Sequence, residues 1–158
     1  MQKISRKQRC AMSDDADTPG WKGGTLRLVF PSDPMAVRDA LHLLVKGLPE
    51  DGADQGLVEL VLAEALNNVV EHAYAGRNGQ IELTIQRSQS GLRCAIVDEG
   101  HPMPNGTLPT GNLDAAFSSD SLPEGGFGWH LIRSLSHDLR YDRQKGRNHL
   151  SFRILGEQ

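Results

Sequence analysis

Two adjoining stretches, GQIELTIQRS at 79–88 and GLRCAIVDEG at 91–100, alternate apolar and polar residues and leave room between them for only a tight turn. That period of two puts Ile81, Leu83 and Ile85 on one face of the first stretch, and Leu92, Cys94 and Ile96 on one face of the second. A short link through Ser88 to Gly91 permits only an antiparallel hairpin with one buried face. Any fold for this chain must therefore supply a layer to cover that face.

The covering layer is written on either side of the hairpin. TLRLVFPS holds Leu26, Val29 and Phe30 and predicts a first strand stopped by Pro31. Ser32 or Asp33 can cap a helix opening at Pro34, with Val37, Leu41, Leu44 and Val45 at helical spacing and an end near Gly47 to Pro49. A longer helix is predicted from about Asp54 to Ala75, closed by Gly76. Its core face is the arc of Val58, Leu62, Leu66, Val69 and Ala73. A third helix is expected from about Phe127 to His137, with Leu131, Ile132 and Leu135 inward. Two last strands, LRYDR and NHLSFRIL, flank a turn at Lys145-Gly146.

The order is strand, two helices, hairpin, long loop, helix, hairpin. It predicts an α+β fold, a two-layer α/β sandwich whose mostly antiparallel mixed sheet packs on about three helices. Strands and helices do not alternate one for one, which disfavours a Rossmann fold. Residues 1–24 read as a disordered polar tail, and 25–158 as a single domain of 134 or so residues, enough for one core. Seventeen basic against 20 acidic residues, a net charge of −3, give no general pull toward nucleic acid or anionic lipid. The apolar runs are too short for a membrane span, and no secretory pattern follows the basic N-terminus. The two cysteines, Cys10 and Cys94, are too few for a disulfide framework. The expected setting is cytoplasmic.

Three clusters hold residues suited to chemistry. In AEALNNVVEHAYAG, Glu64, Asn68 and His72 follow one another at i, i+4 and i+8 and form a line beside the core face. A carboxylate and an amide in such a row suit a hydrated Mg²⁺–phosphate site, although a solvated helix face offers the same pattern. In AIVDEGHPMP, Asp98 ends an apolar strand and can accept from an amino group, while Gly100 allows close approach to the backbone. A capped turn would read alike. In LPEGGFGWHLIRSL, Gly125, Gly126 and Gly128 run into a helix whose first N–H groups can bind anionic oxygen, unless the glycines are only a hinge. No Gly-Lys-Ser/Thr follows, so this is not a Walker loop. Between the last two clusters, Glu99 to Gly126 is rich in proline and glycine and lacks periodicity, the mark of a functional loop.

Taken in order, these segments resemble the N box, G1 box, ATP lid and G2 box of the GHKL (Bergerat-fold, histidine-kinase-like) ATPases. EALNNVVEHAY, DEGHPMP, LPEGGFGWHLIRSL and the final GRNHLSF are most similar to the anti-sigma regulatory factor and serine-protein kinase branch. The resemblance covers roughly Leu26 to Leu155. It implies ATP and Mg²⁺ as cofactors, Glu64 as general base or water-orienting carboxylate, and Asn68 as the Mg²⁺ ligand. It implies Asp98 on the adenine amino group, Gly100 beside the ring, and main-chain N–H groups of Gly126, Gly128, Trp129 and His130 on the phosphates, with Gly125 in the same loop. His72 receives no role. Two departures stand out: Pro102 lies where the superfamily usually has a second glycine, and Arg147-Asn148-His149 replaces a usual threonine near the adenine.

The implied function is a regulatory serine/threonine protein kinase acting on a small antagonist protein and sequestering a partner such as a sigma factor. A homodimer is left open. The alternatives are a nucleotide-dependent binding module with little or no kinase activity, and a detached histidine-kinase catalytic domain.

Overall fold

The computed structural model describes residues 20–112 and 126–156. Among these residues six strands form one sheet in the order β1-β2-β3-β4-β6-β5: β1 (Trp21–Lys22), β2 (Thr25–Pro31), β3 (Gln80–Ser88), β4 (Gly91–Asp98), β5 (His137–Gln144) and β6 (Arg147–Leu155). Every pairing among them is antiparallel. Among the described residues three α-helices, α1 (Pro34–Lys46), α2 (Gln55–Asn68) and α3 (Gly126–Leu135), accompany the sheet. This is the α+β arrangement expected from the chain order.

Local chemistry explains the boundaries. The Asp33 carboxylate caps α1 by accepting from the amides of Met35 and Ala36 at 2.8 and 3.1 Å, and Pro34 opens the first turn. Asp54 caps α2 through the amide of Leu57 at 3.0 Å. The two-residue turn Lys145-Gly146 has positive φ at both positions, as a tight hairpin needs. The buried face of the sheet carries Leu26, Ile81, Leu83, Ile85, Cys94, Ile96, Phe152 and Ile154, and it meets Leu44, Val58, Leu62, Leu66 and Ile132 of the helices in one core. Each such side chain contributes about 1.5–3 kcal/mol on leaving water. Burial also raises the Cys94 thiol to about 12, so it behaves as a small apolar residue.

Two expectations change. Trp21–Lys22, within the stretch expected to be tail, pair with Leu26 and Thr25 as strand β1. Trp21 is only 3% exposed and lies under the guanidinium of Arg87, 4.3 Å from the ring centroid. One aromatic ring thus offsets the polarity of its neighbours. Residues 1–19 lie outside the described part. Within β2, strand alternation puts Leu26, Leu28 and Phe30 inward and turns Val29, 61% exposed, to the other face. The long helix reaches its expected end, but its last six residues, Val69–Tyr74, are π-helical, and Ala75 closes it in the left-handed region.

Candidate functional site

A cavity of about 520 Å³ opens between α2 with its π-helical continuation, the C-terminal end of β4, the segment after it, and the start of α3. Asn68, His72, Asp98, Met103, Trp129, Tyr141 and Asn148 are among its lining residues. The three sequence clusters therefore meet at one place, although they are distant in the chain.

Asp98 is the best-defined group there. It ends β4, is 4% exposed, and pairs across the sheet with Asn148 of β6. Its Oδ1 accepts from the Gly100 amide and from Asn148 Nδ2, both at 2.8 Å. Among the described residues Oδ2 accepts no hydrogen bond, which leaves it for whatever enters the cavity. Burial raises the carboxyl's pKa. The Asn148 and Gly100 hydrogen bonds and the nearby Arg143 and His149 charges pull the other way without cancelling it.

Asn68 lies one turn beyond Glu64 on α2. Its Nδ2 is buried without a hydrogen-bond partner among the described residues. Such an orphaned amide atom marks a polar corner that a ligand can complete. Glu64 is half-buried and does not line the cavity itself; it stands against the start of α3. A Cβ placed on Gly128 would lie 2.6 Å from Glu64 Oε2 and 3.8 Å from Asn68 Nδ2. Glycine at 128 is what lets the helix begin beside that carboxylate. His72, the third member of the predicted row, has a 59% exposed side chain. The π-helical turn that begins at Val69 takes it off the line of Glu64 and Asn68.

Other expectations are redirected. Gly100 is buried but is not a lining residue. Its missing Cβ makes room for the backbone of Ala73, which a Cβ would meet at 2.5 Å, and the His101 amide donates to Ala73 O at 2.7 Å. The close approach that Gly100 allows is to the end of the π-helix. In α1 and α2 the fourth helical residue, Val37 or Val58, already donates its amide to the cap carbonyl of Asp33 or Asp54. α3 opens at Gly126, so the amides of its first turn, Gly126, Phe127 and Gly128 among them, lack acceptors within the helix. Trp129 contributes its buried side chain to the cavity wall, and Gly111 packs on the Trp129–His130 backbone. Gly125 lies outside the described residues.

The sequence reading missed a further group. Asn148 Nδ2 also donates to His101 O at 2.9 Å, and its Oδ1 accepts from Tyr141 Oη and Arg143 Nη1, each at 2.7 Å. Arg143 Nη1 reaches Gly100 O at 3.0 Å, and the Met103 amide donates to Tyr141 Oη at 3.0 Å. The β5–β6 hairpin thereby holds the chain from Gly100 to Met103 against the cavity. The available signal was register: the Lys145-Gly146 turn fixes which β5 residues face Asn148.

The fold, the three clusters and their convergence define a class. The chain belongs to the histidine kinase-like ATPase domain family, whose model matches residues 30–154. It is similar to the serine/threonine-protein kinase BtrW of Bordetella bronchiseptica, 37% identical over 91 residues that make up 56% of this chain and 61% of that protein. It is also similar to the serine-protein kinases RsbW of Bacillus mycoides and Bacillus thuringiensis, at 29% and 28% identity over 91 residues, 57% of each of those proteins. The matched region thus spans about three-fifths of the length of these curated relatives. Among the described residues no helix is long and apolar enough to cross a membrane.

Proposed function

We propose that this chain binds ATP with Mg²⁺ in the cavity beside Asp98 and transfers the γ-phosphoryl group to a serine or threonine of a small antagonist-type protein. In its other state it holds a regulator, such as a sigma factor. The observation that carries this reading is Asp98: a buried carboxylate with one oxygen fixed by two donors and the other left to a cavity of suitable size. An ionised carboxylate is acceptor-only, which matches the adenine amino group.

The remaining residues fit the nucleotide. The orphaned Asn68 amide suits an Mg²⁺–phosphate corner, since its oxygen can be the metal ligand while Nδ2 turns to a phosphate or water. The amides of Gly126 and Gly128 at the start of α3 suit phosphate oxygens. Mg²⁺, when bound, supplies charge neutralisation on the phosphates. Glu64, beside Gly128, serves as the group that orients the attacking hydroxyl and takes its proton. The sheet and helices from Trp21 onward act as one catalytic domain in this reading. The kinase names of the relatives support the transfer step.

The test is transfer of labelled γ-phosphate from Mg-ATP to an antagonist-type protein bearing a serine. Wild type should label it, whereas Glu64→Ala should bind ATP within a few fold and lose transfer, since the carboxylate acts mainly in the transition state. ATP binding without labelling would favour a nucleotide-dependent binding module. Equal transfer by both proteins would overturn the role of Glu64.

A further inference from the structure

We propose that Asn148, held by Tyr141 and Arg143, is a positioning residue that makes Asp98 selective for a 6-amino purine over a 6-oxo purine. This rests on the nucleotide reading of the site and deepens it. Arg143 has only donors, so the Asn148 atom it meets at 2.7 Å must be the amide oxygen, and Tyr141 Oη converges on the same atom. The amide nitrogen is thereby turned toward Asp98, where it donates to Oδ1 at 2.8 Å, and toward His101 O at 2.9 Å. Tyr141 Oη gives its proton to Asn148 and so accepts from the Met103 amide. Every donor and acceptor in this chain of contacts has one consistent direction.

The consequence lies at Asp98. With Oδ1 receiving both the Gly100 amide and Asn148 Nδ2, the carboxylate cannot rotate without losing two hydrogen bonds in a buried place. Oδ2 is then a fixed acceptor. A purine with an amino group at that position is satisfied, and one with a carbonyl there sets two acceptors against each other. Sites built to hydrogen-bond one group discriminate strongly against its absence. Asn148 itself, 4% exposed and already engaged on both amide atoms, has little left to offer a ligand directly. Its effect passes through Asp98.

The experiment compares ATP and ITP binding, each with Mg²⁺, in wild type, Asn148→Ala, Asn148→Thr and Tyr141→Phe. ITP differs from ATP in carrying the 6-oxo group. Wild type should favour ATP by at least about tenfold, and Asn148→Ala should lose most of that ratio because Asp98 is freed to turn. Asn148→Thr, whose hydroxyl can still donate to Asp98, should recover part of it. Tyr141→Phe, which removes one donor and keeps the ring, should lower the ratio less than Asn148→Ala does. A purely structural role would weaken both nucleotides alike, and a ratio unchanged in the variants would overturn the inference while leaving ATP binding intact. Equal wild-type affinity for ATP and ITP would overturn it as well. Binding of neither nucleotide by wild type would instead refute the nucleotide reading beneath it. If Asn148→Ala does not fold, the ratios of Asn148→Thr and Tyr141→Phe decide on their own.

Discussion

At Asp98, stability and the proposed recognition pull in opposite directions. Its folded pKa is raised above the ordinary value, chiefly by burial. A carboxyl raised in this way favours folding at pH below its unfolded value, and that contribution is lost as pH rises through the folded value. At neutral pH the ionised form therefore costs stability. Asp98→Asn keeps an oxygen for Gly100 and Asn148 and removes the buried charge. The expected outcome, by thermal denaturation without nucleotide at pH 7, is a melting temperature equal to or above that of wild type, by about 2–4 °C for each kcal/mol relieved. A marked fall would show that Asp98 is there for structure. Nucleotide affinity should show the reverse pH trend, weakening as acid protonates the acceptor. Asp98 was legible in the sequence because it ends an alternating strand before a glycine. Asn148 was visible only as a departure from a usual threonine, since its partners come from a neighbouring strand.

At the scale of elements, alternation and caps carried most of the reading. Ile81, Leu83 and Ile85 face the core as the period of two required, and Asp33 caps α1 where proline follows. The π-helical turn at Val69–Tyr74 left no trace in residue spacing; it becomes visible only through its contacts, with Ala73 against Gly100 and Tyr74 Oη accepting from the Glu99 amide at 2.9 Å. The segment after β4, expected to be a functional loop, has anchors that spacing does not show: the Met103 amide donates to Tyr141 Oη, and Pro109 O accepts from Arg133 Nε at 2.7 Å. Residues 113–125, the rest of that expected lid, lie outside the described part. The junction of α2 with α3 gives an element-scale prediction. Gly128→Ala should push the Glu64 carboxylate aside, since the new Cβ would sit 2.6 Å from Oε2. The contact is with the end of a side chain, so the fold should yield by no more than about 1 kcal/mol. Phosphoryl transfer should fall at least about tenfold, in a labelled-phosphate assay run beside a melting curve. Transfer at the wild-type rate would separate Gly128 from the chemistry.

For the whole molecule, the sheet and helices bring three chain segments to one cavity, and this convergence ties the family to a site. Sequence order supplied the segments and the resemblance named them, but only the fold shows that Asn68, Asp98 and Trp129 share a wall. It also shows that Gly100 packs against Ala73 and that the His72 side chain is largely exposed. The central claim is that this cavity is an ATP site built on Asp98, and the most direct measurement is calorimetric titration of Mg-ATP into wild type and Asp98→Asn. The account predicts saturable binding at one site per chain in wild type. It predicts affinity at least about tenfold lower in the variant, a difference of about 1.4 kcal/mol. Superimposable isotherms for the two proteins, or no binding by a folded wild type, would contradict it.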